Sequence, residues 1–349
     1  MHLHALATAV PAASFTQAKC WEIVQRSQVR SRLKKRSMLI LQSILRGDHG
    51  ITTRHFAVPD IEHVFDLTAD QLNAAFRAGA PKLAGRALTA ALAQAGVRPA
   101  KLDALLICTC SGYLCPGLTS YVAEQLGLRP SAFLQDLVGL GCGAAIPTMR
   151  AASHLLAAQP GATVACVAVE VCSAAFYLDD DPGVLISACL FSDGAAATVW
   201  RGTPGPLALR AFDFNTLHLP AERDKLRFEQ RDGRLRNLLH RSVPELAADA
   251  VGRLWRERGP RPVVRVVAHP GGRDVIDALE PALAPHSLAA SRSVLRTCGN
   301  MSSPSVLFAL EETLKTARPG PDGDFWLVSF GAGFSAHSCR LGPSHDQAH

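Results

Sequence analysis

The sequence predicts an α/β protein built from two related halves, with its sheets covered by helices. Three observations carry that expectation. Apolar runs of strand length alternate with longer helix-length segments along the chain. Two strands run into chemistry-bearing residues, Cys110 and His269, which lie 159 positions apart. Two elbows of small residues, each followed by a helix, hold Cys142 and Asn300, 158 positions apart. Two kinds of unit at nearly one offset indicate an internal duplication of long period, not a solenoid. The turn cluster Gly202-Thr203-Pro204-Gly205-Pro206 is the expected seam, dividing the chain into residues 1–203 and 204–349.

The elements follow in order. A basic cluster, Arg30 to Arg36, leads into an amphipathic helix over residues 37–46, and a second helix covers 72–95. The cluster reads equally as a solvated helical face or as a basic rim for an anionic, phosphorylated ligand. An apolar strand over 103–109 stops at Ser111-Gly112; a helix follows at 118–126 and a strand at 133–138. Gly139-Leu140-Gly141-Cys142-Gly143-Ala144 then opens a helix to about 158, and residues 163–169 form a strand apolar throughout, as in a sheet buried on both faces. Residues 186–191 and 195–201 read as two strands around Ser192-Asp193-Gly194. In the second half, a strand over 263–268 ends at His269-Pro270-Gly271-Gly272, before a helix at 275–283. The elbow from Cys298 to Pro304 precedes a helix at 305–316, with the proline suited to a first turn. Strands at 325–330 and 334–341 flank Gly331-Ala332-Gly333.

Composition narrows the class. With 349 residues, 48% hydrophobic and 19% charged, the chain has ample apolar material for a core and is not a disordered one. A net charge of +6 is small for this length and does not favour a nucleic-acid partner. Residues 1–17 lack a basic start followed by a long apolar core, and no apolar run is long enough to cross a bilayer. The expected home is the reducing cytoplasm, with the ten cysteines free and mostly buried as small hydrophobes.

One cysteine stands apart. Cys142 sits between glycines, after a strand and at the start of a helix, where the macrodipole favours a thiolate, the nucleophile for acyl transfer. A small thiol packed into an elbow accounts for the same pattern. His269 at a strand end could pair with that thiol or donate to a developing oxyanion, or it could be an ordinary loop histidine. Asn300 follows a glycine, as turn asparagines do, and its amide suits an enolate or thioester oxygen. Matching positions in two repeated halves strengthen the joint reading.

The segments Gly141-Cys142-Gly143, Ala268-His269-Pro270-Gly271-Gly272 and Gly299-Asn300-Met301-Ser302-Ser303 resemble the type III polyketide synthases, the chalcone and stilbene synthase family. The stretches from Leu190 to Ala197 and from Ser329 to Phe334 resemble two further family motifs, and the likeness runs from Ala5 to Leu341. The resemblance implies a thiolase-like αβαβα fold, a homodimer, and CoA thioesters as substrates with no metal or organic cofactor. It implies that Cys142 takes an acyl starter from its CoA thioester, with an acyl-carrier donor as another source. His269 and Asn300 would hold malonyl-CoA, assist decarboxylation and stabilise the enolate, and His269 would keep Cys142 ionised. Phe191 would be an aromatic gatekeeper. Cys110, Cys115, Ser302, Gly271 and Gly272 are carried over as substrate-binding. The basic region 30–54, with Arg54, would take the CoA phosphates.

The chain departs from the plant members. Cys110, Cys115 and Ala175 are smaller than the Thr, Met and Thr of those enzymes, and Ala332-Gly333 replaces a Gly-Pro-Gly pattern. The segment 232–237 offers no counterpart to a second gatekeeper Phe. These changes resemble bacterial members making alkylresorcinols, alkylpyrones or polyhydroxylated aromatics. The rivals are a single-condensation β-ketoacyl synthase, a non-catalytic partner subunit of the same fold, a dinucleotide site at Gly139-x-Gly141-x-x-Ala144 with Glu170, and a metal site at Cys108, Cys110 and Cys115.

Overall fold

The computed structural model describes residues 1–344; the last five residues of the 204–349 half lie outside the described residues. Thirteen strands occur in chain order: β1 His2–Ala9, β2 Ser14–Thr16, β3 Thr53–His55, β4 Ala104–Cys108, β5 Phe133–Leu137, β6 Thr163–Val171, β7 Asp193–Arg201, β8 Leu209–His218, β9 Leu226–Arg231, β10 Arg234–Leu239, β11 Val263–Ala268, β12 Asp324–Gly331 and β13 Ser335–Pro343. Nine of them form one sheet in the order β11-β12-β13-β8-β1-β7-β6-β4-β5. The remainder make two small hairpin-like pairs, β2 with β3 and β9 with β10.

The large sheet is two arrays joined at one short seam. On one side β1, β7 and β6 are antiparallel neighbours, and β6, β4 and β5 are parallel. On the other, β8, β13 and β12 are antiparallel neighbours, and β12 and β11 are parallel. The arrays meet only at His2 opposite Arg210 and Leu3 opposite Leu209. Residues 202–208 connect β7 to β8.

Helices lie on both outer faces and between the arrays. Helix Ala69–Gln94, opened by a Thr68–Gln71 capping box, packs on β1, β6 and β7. Helix Val243–Glu257 covers β8 and β13. Helices Ala145–Ala158 and Ser305–Leu314 share one apolar cluster with residues of both arrays, including Leu106, Val164, Leu327 and Cys339. The layers are therefore helix, sheet, helices, sheet, helix. Ala145–Ala158 is rich in alanine and Ser305–Leu314 in larger apolar residues, and each begins directly after a candidate elbow. The architecture thus brings the two elbows to the same interior layer.

One expected strand is a helix. Residues 186–190 belong to helix Pro182–Leu190, with Phe191 its extended C-cap; Asp181 caps the other end by accepting from the Gly183 and Val184 amides, and Pro182 lies in the first turn. The run is buried nearly all round, so its polarity pattern carries no helical period. Ser192-Asp193-Gly194 is accordingly not a hairpin turn; Phe191 instead bridges to Asn300. No helix of the described residues is long and apolar enough to cross a membrane.

Candidate active site

Cys142, Phe191, His269, Gly271, Gly272 and Asn300 line one cavity of about 290 Å³, together with Leu190 and Phe330. Ile44, His49, Arg241 and Arg273 belong to the same cavity. Cys142 lies in a single 3-10 turn, Gly141–Gly143, before helix Ala145–Ala158. Gly141 has φ +55, and a Cβ on it would stand 3.0 Å from the Ala332 amide nitrogen. The Ser329 hydroxyl donates to the Gly143 carbonyl at 2.9 Å, tying the elbow to β12. The segment Gly331-Ala332 is thus the seat of the thiol's turn.

His269 follows β11 directly, its amide donating to Val328 O at 2.9 Å. Its ring stands edge-on to Phe330, with centroids 5.3 Å apart, and its Nδ1 makes no hydrogen bond. Asn300 is oriented from both ends of its amide: Oδ1 accepts from the Ser302 backbone at 2.8 Å and Nδ2 donates to Gly271 O at 3.0 Å. That pair of bonds fixes which end is nitrogen. Backbone bonds from Asn300 N to Leu190 O, and from Ser192 N to Asn300 O, tie it to the Phe191 segment.

Burial governs the electrostatics. It pushes the Cys142 thiol up to about 12, against the opposing pull of the Ser302 hydroxyl, and the nearby Glu170 adds to the rise. It pushes the His269 imidazole down to about 3. The thiolate expected from the helix start is therefore not stable on its own, because loss of water outweighs the dipole of one short turn. Among the described residues no hydrogen bond joins Cys142 to His269. A single charge on either group is disfavoured here, whereas a proton passed from thiol to imidazole leaves the Cys142–His269 pair with no net charge.

A buried acid that the sequence offered only to the dinucleotide reading is the floor of the site. Glu170, at the end region of β6, is fully buried. It accepts from the hydroxyls of Thr109, Ser111, Ser302 and Ser303, from the Cys110 and Ser111 amides, and from the Cys110 thiol. So occupied, it offers nothing to a ribose, which removes the support for a dinucleotide site. Cys110 also meets the Ser302 hydroxyl at 3.3 Å, placing both beside the cavity's catalytic candidates.

Two expected substrate contacts are corrected. Cys115 is exposed and does not line the cavity of its own chain; it sits outside β4 in the loop before helix Leu118–Leu126. Arg54 is only 2% exposed. Its guanidinium donates to Gln17 Oε1 and to the carbonyls of Ala188 and Phe191, leaving it turned into the protein. An arginine beside a basic cluster reads as a surface anion contact, and only the fold reveals that this one is enclosed. Sequence reading also missed an aromatic: Phe228, on the hairpin β9–β10, lines a small pocket with Phe191, Ala175 and Asn237. It lies just upstream of the segment 232–237, where the sequence offered no aromatic. The same hairpin supplies Leu226 and Leu239 to the main cavity. Among the described residues no group of three or more His, Cys, Asp or Glu is placed to hold a metal ion.

Gly299 makes the Asn300 elbow possible. Its φ of +70 and ψ of −168 belong to a region essentially reserved for glycine. A Cβ there would meet Arg54 Cγ at 3.0 Å and Leu190 O at 3.2 Å. Gly299→Ala is expected to lower unfolding free energy by about 1–3 kcal/mol, measured by urea denaturation; an unchanged midpoint would show that the elbow is not constrained as described.

Comparison with known proteins identifies the family. Residues 10–204 match the FAE1/Type III polyketide synthase-like protein model. Residues 233–339 match the chalcone and stilbene synthase C-terminal domain. The chain is 31% identical over 273 residues to a 3,5-dihydroxyphenylacetyl-CoA synthase of Streptomyces toyocaensis, covering 72% of this chain and 69% of that protein. It is 31% identical over 318 residues to a 1,3,6,8-tetrahydroxynaphthalene synthase of Streptomyces peucetius subsp. caesius, covering 86% and 84%. The fold matches the crystal structure of 1,3,6,8-tetrahydroxynaphthalene synthase from Streptomyces coelicolor A3(2), with a TM-score of 0.88, 24% identity, and coverage of 99% of this chain and 100% of that one. The five layers are thus the thiolase-like arrangement, and the chain belongs to the type III polyketide synthases, a family of acyltransferases.

Proposed function

We propose that this enzyme condenses malonyl-CoA repeatedly onto an acyl starter held by Cys142, and that the product cyclises to a polyhydroxylated aromatic, an alkylresorcinol or an alkylpyrone. The observation that carries the reading is the convergence of Cys142, His269 and Asn300 on one enclosed cavity. The names of the Streptomyces relatives, a dihydroxyphenylacetyl-CoA synthase and a tetrahydroxynaphthalene synthase, support the polyhydroxylated aromatic over the other two.

The chemistry follows from the geometry. Cys142 gives its proton to the His269 Nε2, and the thiolate attacks the starter thioester; CoA leaves as its thiol after regaining that proton. Malonyl-CoA then replaces it. The neutral His269 ring, its proton exchanged from Nδ1 to Nε2 through solvent while the site stands open between the two substrates, and the Asn300 amide donate to the malonyl thioester oxygen. Asn300 Nδ2 spends one hydrogen on Gly271 O and keeps the other for this purpose. The bond to the carboxylate breaks, CO2 departs, and its electron pair becomes the enolate, whose negative oxygen these donors stabilise. The enolate carbon attacks the Cys142 thioester, the new carbon–carbon bond forms, and the Cys142 thiolate leaves. The lengthened chain, now on CoA, returns to Cys142 for the next round. Phe191 contributes a planar apolar wall that keeps water from the enolate. Ser302 acts through the Asn300 carbonyl, which its amide holds, and Cys110 bounds the same region.

We read residues 1–203 and 204–349 as the two related halves, the cytoplasm as the compartment, and a homodimer as the working state. The second array lacks a strand corresponding to β5, and β5 pairs only with β4, so its outer edge is open. Phe133, Leu134 and Val138 are 49%, 38% and 56% exposed along that edge, with Tyr113 at 72% nearby. An open apolar edge of this kind is suited to a second copy.

Incubating the protein with malonyl-CoA and a panel of short, long and aromatic acyl-CoAs, followed by mass spectrometry, tests the reaction. Several malonyl units per product are expected, and one unit per product would instead indicate a single-condensation synthase. Cys142→Ala is expected to abolish starter loading, and full product from that variant would overturn the assignment. For the proton transfer, iodoacetamide alkylation of Cys142 is expected to be slower in His269→Gln than in the parent at about pH 7, with the rate still climbing beyond about pH 9 because the solitary thiol titrates high. Equal pH profiles in the two proteins would remove His269 as the proton acceptor. Phe133→Asp combined with Val138→Asp is expected to shift the protein to the monomer volume in gel filtration; an unmoved peak would exclude this edge as the contact.

A further inference from the structure

Arg54 lies outside the cavity, wedged between the two segments that carry Phe191 and Asn300. Its Nη1 donates to Ala188 O at 2.7 Å and Phe191 O at 2.9 Å, and its Nε to Gln17 Oε1 at 2.9 Å. Gln17 Nε2 in turn donates to Cys189 O at 3.0 Å. These are carbonyls at the C-terminal end of helix Pro182–Leu190, where a cation completes orphaned acceptors and opposes the negative end of the dipole. The guanidinium carbon is 5.0 Å from the Phe56 ring centre and 5.9 Å from that of Phe176, so its planar faces are covered as well.

The backbone on either side of Arg54 continues the clamp. The His55 amide donates to Ser192 Oγ at 2.8 Å, Ser192 Oγ donates back to His55 O at 3.1 Å, and the Ala57 amide donates to Asp193 Oδ2 at 2.6 Å. On the opposite side, the Thr52 amide donates to Arg296 O at 2.8 Å and Thr53 Oγ1 to Thr297 O at 2.6 Å. Gly299, next to Asn300, leaves room only for the Arg54 stem. Residues 52–57 therefore hold the gate segment with one side and the approach to the Asn300 elbow with the other. The Cys142 turn is held by another set of groups, from Ser329 to Ala332.

We propose that Arg54 is a positioning residue that sets the relative placement of Phe191 and Asn300, and so governs malonyl decarboxylation while leaving the Cys142 nucleophile unaffected. The inference rests on the proposed function, because it assigns Asn300 and Phe191 to the malonyl-handling part of the reaction. It replaces the surface anion contact expected of Arg54 with an internal role acting through main-chain carbonyls.

The test compares two readouts in the full-length protein: acetyl-CoA released from malonyl-CoA, followed by chromatography, and alkylation of Cys142 by iodoacetamide, followed by mass spectrometry of the Cys142 peptide, which separates it from the exposed Cys115. Arg54→Met keeps an unbranched stem and removes every donor. It is expected to lower kcat for decarboxylation about tenfold or more, the scale of a small misplacement of reacting groups, with alkylation within about twofold of the parent. Arg54→Lys restores a charged donor and is expected to recover most of that loss. An unchanged kcat in Arg54→Met, an equal fall in both readouts, or no recovery in Arg54→Lys overturns the proposal. If Arg54→Met does not fold, Gln17→Ala carries the test: it removes one clamp on the same helix end and is expected to lower decarboxylation about threefold with alkylation unchanged. Parental decarboxylation in Gln17→Ala, or equal falls in both readouts, would overturn the proposal. A parent protein that releases no acetyl-CoA would instead overturn the proposed function itself, an outcome distinguishable from any difference among the variants.

Discussion

Two backbone hydrogen bonds, exchanged between Asn300 and residues 190–192, fix where the Phe191 ring and the Asn300 amide meet at the cavity. The bridge is parallel and only one residue deep, so alone it would be weak. Its strength comes from its flanks. A glycine backbone conformation brings the Asn300 strand close enough, Ser302 and Gly271 hold the amide in plane, and the segment around Arg54 closes the back. Because the two partners come from different halves of the chain, this contact links the halves at the cavity, apart from the short seam between β1 and β8. Phe191 and Asn300 are thus placed relative to one another by this bridge and by the groups that flank it.

Beneath that bridge lies a charge the protein has enclosed. A carboxylate without water is costly unless its lone pairs are occupied, and Glu170 meets this by gathering donors from two distant stretches of chain, Thr109–Ser111 and Ser302–Ser303. The consequence is order in the neighbours: Ser302, Ser303, Ser111 and Cys110 each have an orientation set by one acceptor. Such a fully satisfied polar floor makes the cavity's shape specific where apolar packing alone would leave hydroxyls free to rotate.

The alternation of strands and helices, and the pairing of the two elbows, could be read from the sequence because each depends on local chemistry: glycines that allow a sharp turn, apolar runs sized for a buried strand. Cys142, His269 and Asn300 stood out in the sequence through the matching offset of the two halves and the family-like motifs around them, and the fold gathers all three at one cavity. What escaped depends on tertiary surroundings. The helix Pro182–Leu190 is buried on nearly every side, so no periodicity distinguishes it from a strand, and only the Asp181-Pro182 start betrays it. Strands β1 and β8, central to the sheet, carry mixed polar and apolar residues and few turn signals. Arg54 and Glu170 are charged residues that a sequence places at the surface by default, and both are enclosed by partners distant in the chain. Cys115 shows the reverse error, a position matched by motif whose side chain the fold leaves outside its own cavity.

The hairpin β9–β10 has a consequence for how such an enzyme changes over generations. It forms no hydrogen-bonded ladder with the nine-stranded sheet, yet its ends, Leu226 and Leu239, and its Phe228 shape the space where a product grows. Its attachment is local: Arg236 reaches Asp179 and Glu229, and the Leu239 backbone rests against Gly183. Substitutions here alter the mould without disturbing the buried layers that hold the nucleophile and its partners. If the proposed function holds, chemistry and product size would then be carried by separately mutable parts, the reaction by the buried layers and the mould by the hairpin.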